Sequence, residues 1–135
     1  WVSDIRGSIH GLQRDSSRKD LITAVFKAIC FQTLEIIDAL EQDGVTVNAL
    51  KVDGGMVKNN KFLQLLSNIL STDIQKPDQI ESTAVGAFKI ALLGSGIKKL
   101  NEISEIGEYK KVHTQPSSKL ADEYDTWKGF LTKNL

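Results

Sequence analysis

Residues 49 to 93 alternate between short apolar runs and amphipathic stretches, and this alternation constrains the fold more than any other feature. Ala49, Leu50, Lys51 and Val52 form a short run that ends in Asp53-Gly54-Gly55. A brief apolar run bounded by glycine reads as a buried strand. Phe62, Leu65, Leu66, Ile69 and Leu70 then recur at helical spacing, which predicts a helix over about residues 58–71. Thr72 to Lys76 reads as a second strand, stopped by Pro77. Ala84, Val85, Ala87, Phe88, Ala91 and Leu92 mark another helix, from about Glu81 to Leu93, ended by Gly94 and Gly96. Strand, helix, strand in that order implies a βαβ unit with a parallel pair, so the expected class is α/β.

A long helix precedes this unit. Leu21, Ile22, Val25, Phe26, Ile29, Cys30, Ile36, Ile37 and Leu40 lie at helical spacing across residues 17–43. Ser17 is placed to cap it, with Asp20 three residues on as in a capping box, and Gly44 suits a left-handed stop. Residues 1–14 read as a strand or an irregular extended segment, and residues 100–117 as a loose connector. Residues 118–134 read as a last helix with Leu120, Tyr124, Trp127 and Leu131 on one face. Parallel strands are normally buried inside sheets with helices on both faces. Two short strands are too few for such a sheet, and the chain opens on Trp1 without a methionine. Both features lead us to expect a piece of a larger domain, truncated on its N-terminal side.

Composition excludes several function classes. Seventeen basic and seventeen acidic residues cancel, so no charge excess points to nucleic acid. No stretch approaches the roughly 20 apolar residues of a membrane span. Cys30 is the only cysteine, so no internal disulfide is possible and a cytoplasmic setting is expected.

The turn after the first strand is the candidate site. Ligands of open α/β sheets sit beyond the carboxyl ends of the strands. Glycine there lets the main chain approach a ligand closely. The following helix offers unpaired N–H groups and a positive dipole end. Asn59 and Asn60 carry donors and acceptors that suit a purine edge or a ribose hydroxyl. Read locally, Asp53-Gly54-Gly55 is either an ordinary turn or a ligand site. It is not a phosphate-binding Walker loop, because no Lys-Ser or Lys-Thr follows at the needed spacing. Gly94-Ser95-Gly96 begins like a dinucleotide fingerprint, but Lys99 occupies the third glycine position.

Three segments, in order, resemble the glycerol kinases of the FGGY carbohydrate kinase family. Arg6-Gly7-Ser8-Ile9-His10-Gly11-Leu12 is similar to the family's Arg-Gly-Thr-Ile-Phe-Gly-Leu, and Asp20, Leu21, Ala24 and Ile29-Cys30-Phe31-Gln32-Thr33 follow at the expected distance. Val52-Asp53-Gly54-Gly55-Met56-Val57-Lys58-Asn59-Asn60, with Gln64 beyond, forms the second segment. Glu81-Ser82-Thr83-Ala84-Val85-Gly86-Ala87 resembles Glu-Thr-Thr-Ala-Leu-Gly-Ala, and Tyr124 and Trp127-Lys128 resemble the family's C-terminal Tyr and Trp-Lys. Asp-Gly-Gly followed by Asn-Asn favours the glycerol branch.

The resemblance implies an actin-like, ribonuclease-H-like ATPase domain, with residues 1–135 forming the C-terminal portion of the second, nucleotide-binding domain. It implies ATP or ADP as ligand, with Gly55 and Asn59 against the adenosine and Gly54, Asn60 and Asp53 shaping the turn. It implies no catalytic residue and no metal ligand here. The family's catalytic aspartate, phosphate hairpins and glycerol pocket lie in earlier segments, so glycerol and Mg²⁺ are expected only in a complete kinase. The implied partner is a missing N-terminal kinase portion. Thr23 and Lys27 depart from the arginine and the acid usual at these positions.

Other residues have plainer readings. His10 and His113 lack partners at metal-ligand spacing. Cys30 on the apolar helix face reads as a buried inert thiol. Asp38, Glu41 and Asp43 read as a solvated face, and Trp127 as a core anchor. Glu81-Ser82-Thr83 reads as a helix start with a structural role. Two alternatives stay open: a non-catalytic module that self-associates as a homo-oligomer through an exposed sheet edge, and a kinase of the same family acting on xylulose or gluconate.

Overall fold

A computed structural model describes residues 6–78, 81–103 and 109–134. The elements in chain order are α1 (Arg18–Gln42), β1 (Leu50–Lys51), a single 3-10 turn (Gly55–Lys58), α2 (Asn60–Leu70), β2 (Ile74–Pro77), α3 (Ser82–Gly94), α4 (Leu100–Ile103), β3 (Tyr109–Val112) and α5 (Ser118–Asn134).

α1 forms where its end signals place it. The Ser17 hydroxyl accepts from the Asp20 N–H, and the Asp20 carboxylate accepts from the Ser17 N–H at 2.9 Å, closing the capping box. At the other end Gly44 takes φ +84°, Val45 N–H reaches Leu40 O and Gly44 N–H reaches Glu41 O. That pair of bonds is a Schellman stop, and only a residue free of a Cβ adopts it without strain.

β1 and β2 pair in parallel with Leu50 opposite Ile74, as the βαβ order requires. Leu50 N–H bonds to Asp73 O and Val52 N–H to Gln75 O. The next N–H on that edge of β2 would belong to residue 77, a proline. The ladder therefore stops there, and β1 is free to turn away at Asp53.

A third strand corrects the sequence expectation. Residues 100–117, expected as a loose connector, contain α4 and β3. β3 runs antiparallel to β2, with Val112 opposite Ile74 and Tyr109 opposite Pro77, so the strand order is β1-β2-β3. Ion pairs Lys110–Asp78 at 2.6 Å and Lys111–Asp73 at 3.0 Å flank the pairing. The Thr114 N–H and hydroxyl tie the strand's exit to Asp73 and to Ser67 O. Tertiary pairing, rather than local pattern, makes this lysine-rich segment a strand.

One core holds the assembly. Cys30, Phe31 and Ile37 of α1 meet Val57, five apolar residues of α2, Ile74 and Tyr124. Leu63 and Ile74 are fully enclosed, and each such side chain stabilises by about 2 kcal/mol. Phe31, Tyr124 and Trp127 pack with ring centroids within 6.0 Å of one another, Tyr124 and Trp127 stacked and Phe31 tilted against both, so Trp127 is a core anchor as expected. Lys27, at one of the two departing positions, forms an ion pair with Glu123 across α1 and α5. Thr23, at the other, donates to Lys19 O.

Part of the apolar surface is uncovered. Leu21, Ile22, Val25, Ile36 and Leu40 of α1 were expected on the buried stripe and are exposed. α3 is apolar around nearly its whole circumference, yet none of its residues is buried, and it packs on α4.

Candidate functional site

The turn between β1 and α2 lies at the carboxyl end of the parallel pair, which is where open α/β sheets hold ligands. Val57 anchors it: this side chain is 3% exposed, while Asp53 to Met56 and Lys58 to Asn60 all face solvent. Val57 N–H bonds to Gly54 O and Asn59 N–H to Met56 O, which tightens the turn into a 3-10 form. The Asp53 carboxylate accepts from Gly54 N–H at 2.6 Å. Asp53 therefore shapes the turn, as expected.

The two glycines differ. Gly54 has φ +95°, a region that side chains avoid, so the backbone itself requires glycine. Gly55 does not have a positive φ, and a Cβ built on it meets nothing within 4 Å. Nothing inside the described chain calls for glycine at 55. The space in front of its backbone is open.

The asparagines also divide their work. Asn59 is the N-cap of α2, and its Oδ1 accepts from Lys61 N–H at 3.0 Å and Phe62 N–H at 3.2 Å. The cap fixes which end of the amide points inward, so Nδ2 faces outward with its donors free of partners among the described residues. Asn60 is the first residue of α2, and its Oδ1 accepts from Lys76 Nζ at 3.2 Å. Its Nδ2 is left facing out in the same way. Gly54, Gly55, Asn59 and Asn60 were expected on this turn from sequence, whereas the contact of Lys76 with Asn60 was not. Lys76 lies at the end of β2, the strand parallel to β1.

The structure thus brings all four expected site residues onto one exposed turn. It can supply hydrogen-bond donors and close backbone approach. The other candidates lie elsewhere. His10 stacks on Phe130 at 4.4 Å, and His113 lies 3.4 Å from Asp73. Cys30 is fully enclosed, and burial pushes its thiol up to about 12. Among the described residues, no group of three His, Cys, Asp or Glu is placed to hold a metal, and no helix is long and apolar enough to cross a membrane.

The fold as a whole recurs in known proteins. The C-terminal domain model of the FGGY family of carbohydrate kinases matches residues 1–95, and the chain belongs to that family. The glycerol kinase of Corynebacterium kroppenstedtii is 46% identical over 83% of this chain and 22% of its own length. Glycerol kinase 1 of Pseudomonas aeruginosa is 35% identical over 91% of this chain and 24% of its own length. The structure of Plasmodium falciparum glycerol kinase with ADP superposes with a TM-score of 0.85 and 30% identity, over 100% of this chain and 28% of that one. Gluconate kinase from Lactobacillus acidophilus gives 0.74 and 27%, over 93% and 26%. The chain therefore spans about a quarter of the length of these relatives and matches their C-terminal part. Its fold is the α/β arrangement of that part of an actin-like ATPase.

Proposed function

We propose that this chain is the adenosine-binding end of an ATP-dependent glycerol kinase, and that by itself it transfers no phosphoryl group. The observation that carries the reading is the exposed turn at the carboxyl end of the parallel pair, where the open backbone of Gly55 lies close in sequence to the Asn59 cap. A planar base or a ribose approaching Gly55 meets no Cβ, and the Asn59 amide stands ready to donate to it. The glycerol kinase that this chain matches at a TM-score of 0.85 was solved with ADP, which supports nucleotide as the ligand. Glycerol is preferred to gluconate or xylulose because the curated relatives are glycerol kinases. The solved gluconate and xylulose kinases also superpose less closely, at 0.74 and 0.75.

Phosphoryl transfer needs a base or positioning group, charge on the transferring oxygens and Mg²⁺. In this reading the rest of the kinase supplies these, together with the glycerol pocket. α3 supports such a partner. A helix that is hydrophobic all round is normally buried, and Phe88 and Ile90 on α3 are 56% and 69% exposed. A cytoplasmic location belongs to the same reading. The bare α3 face also favours a second, non-catalytic reading, in which copies of the chain self-associate through it.

Titration calorimetry with ADP tests the site. The parent chain is expected to bind, and Gly55→Val to bind at least tenfold more weakly, because its side chain fills the open face. No heat of binding at millimolar ADP would refute the assignment. A coupled assay tests the rest: glycerol 3-phosphate formed by the purified chain would contradict its expected inactivity. Light scattering decides the second reading, since a monomer at high concentration excludes it.

A further inference from the structure

Lys76 sits in a place that stability does not explain. Its ammonium lies at the N-terminus of α2, the positive end of the helix dipole. In the ladder it stands directly opposite Lys110, another cation. Lys110 has Asp78 as counter-ion at 2.6 Å. The hydrogen-bond partner of Lys76 is the neutral carbonyl oxygen of Asn60. A methionine of similar length would avoid both repulsions and keep the apolar stem in place.

The bond does accomplish one thing. It crosses from the carboxyl end of β2 to the first turn of α2 and fixes the amide of Asn60. Without it, the two ends of that amide are interchangeable. With Oδ1 engaged by Lys76, Nδ2 is left to donate on the turn that carries Gly55 and Asn59. We infer that Lys76 is a positioning residue for the nucleotide turn: it orients the Asn60 amide as a donor to the bound nucleotide. The inference rests on the nucleotide reading above and adds to it a residue from the second parallel strand.

The test compares parent, Lys76→Met and Lys76→Arg in the full chain. Lys76→Met is expected to weaken ADP binding about tenfold, the worth of one well-placed hydrogen bond, while its urea midpoint stays level or rises. Lys76→Arg retains a donor and is expected to bind within about threefold of the parent. In ¹⁵N-edited spectra without ADP, the Asn60 side-chain amide signals should shift in Lys76→Met and stay near the parent position in Lys76→Arg. Parent-like ADP binding by Lys76→Met overturns the inference, as does a loss that merely follows a lost folded population. Unchanged Asn60 signals overturn it as well. A parent chain that binds no ADP defeats the nucleotide reading and this inference with it, whereas a binding parent with a parent-like Lys76→Met defeats the inference alone.

Discussion

Gly54 and Gly55 are neighbours with opposite requirements: Gly54 holds φ +95°, while Gly55 is free of positive φ and faces open space. Alanine substitution separates them. Gly54→Ala forces a Cβ into an extended positive-φ region that is essentially glycine-only, and is expected to cost about 1–3 kcal/mol in urea unfolding. Gly55→Ala is expected to leave stability unchanged or raise it by about 0.5 kcal/mol, by stiffening the unfolded chain. Its effect should fall on ADP affinity instead. A large stability loss in Gly55→Ala would show an internal role for that glycine.

Asn59 has two functions on one side chain, and they can be divided. Its oxygen caps α2, and its nitrogen faces out. Asn59→Ala should lose about 1 kcal/mol of stability along with ADP binding. Asn59→Ser keeps a capping oxygen but lacks the outward amide. It should unfold like the parent and bind ADP about tenfold more weakly. Parent-like affinity in Asn59→Ser would remove Asn59 from the site.

Tyr124 on α5 donates to Asp38 on α1 at 2.8 Å, and its ring lies in the aromatic cluster. Burial first, and then the Asp38 carboxylate, holds the phenol above its ordinary range. Tyr124→Phe keeps the packing and is expected to cost about 1 kcal/mol at pH 7. Because the folded pKa is raised, this contribution is complete below the unfolded phenol's value of about 10 and fades as pH climbs past it. Denaturation of both chains at pH 7 and pH 11 should show the gap closing.

Cys30 is enclosed by the core, and burial raises its thiol to about 12. An aromatic disulfide reagent at pH 8 should therefore react only as fast as the chain unfolds, and at once in denaturant. The sign of the pH effect follows. The unfolded thiol ionises near 8.5, so the buried neutral thiol contributes fully below that pH and loses its contribution as pH rises toward 12. Cys30→Ala should be less stable at pH 7 yet lose less stability between pH 8 and pH 10. Rapid labelling of the folded chain would contradict the enclosed position.

Much of this was legible in local sequence because local chemistry fixes it. Ser17 with Asp20 and Gly44 mark the ends of α1 through side-chain caps and a left-handed stop, both readable within a few residues. The βαβ order followed from apolar runs and their punctuation. β3 escaped notice because Tyr109-Lys110-Lys111-Val112 has lysines in its centre, and its strand character comes from β2 and from Asp73 and Asp78, more than 30 residues earlier. Bare apolar faces were anticipated in the self-association reading, but not that they would fall on α1 and α3. A helical stripe declares that it wants a partner, not whether the partner lies within the chain. At the turn, the residues were visible but not their roles. That Asn59 spends its oxygen on the cap and Asn60 spends its oxygen on Lys76 depends on geometry between elements.

The central claim is that the turn from Gly54 to Asn60 holds adenosine. The most direct measurement is an ADP titration of the ¹⁵N-labelled chain, followed by amide chemical shifts. The account predicts saturable shifts concentrated at Gly54, Gly55 and Met56 and at the side-chain amides of Asn59 and Asn60. Spectra unchanged at millimolar ADP, or shifts confined to residues away from that turn, would contradict it.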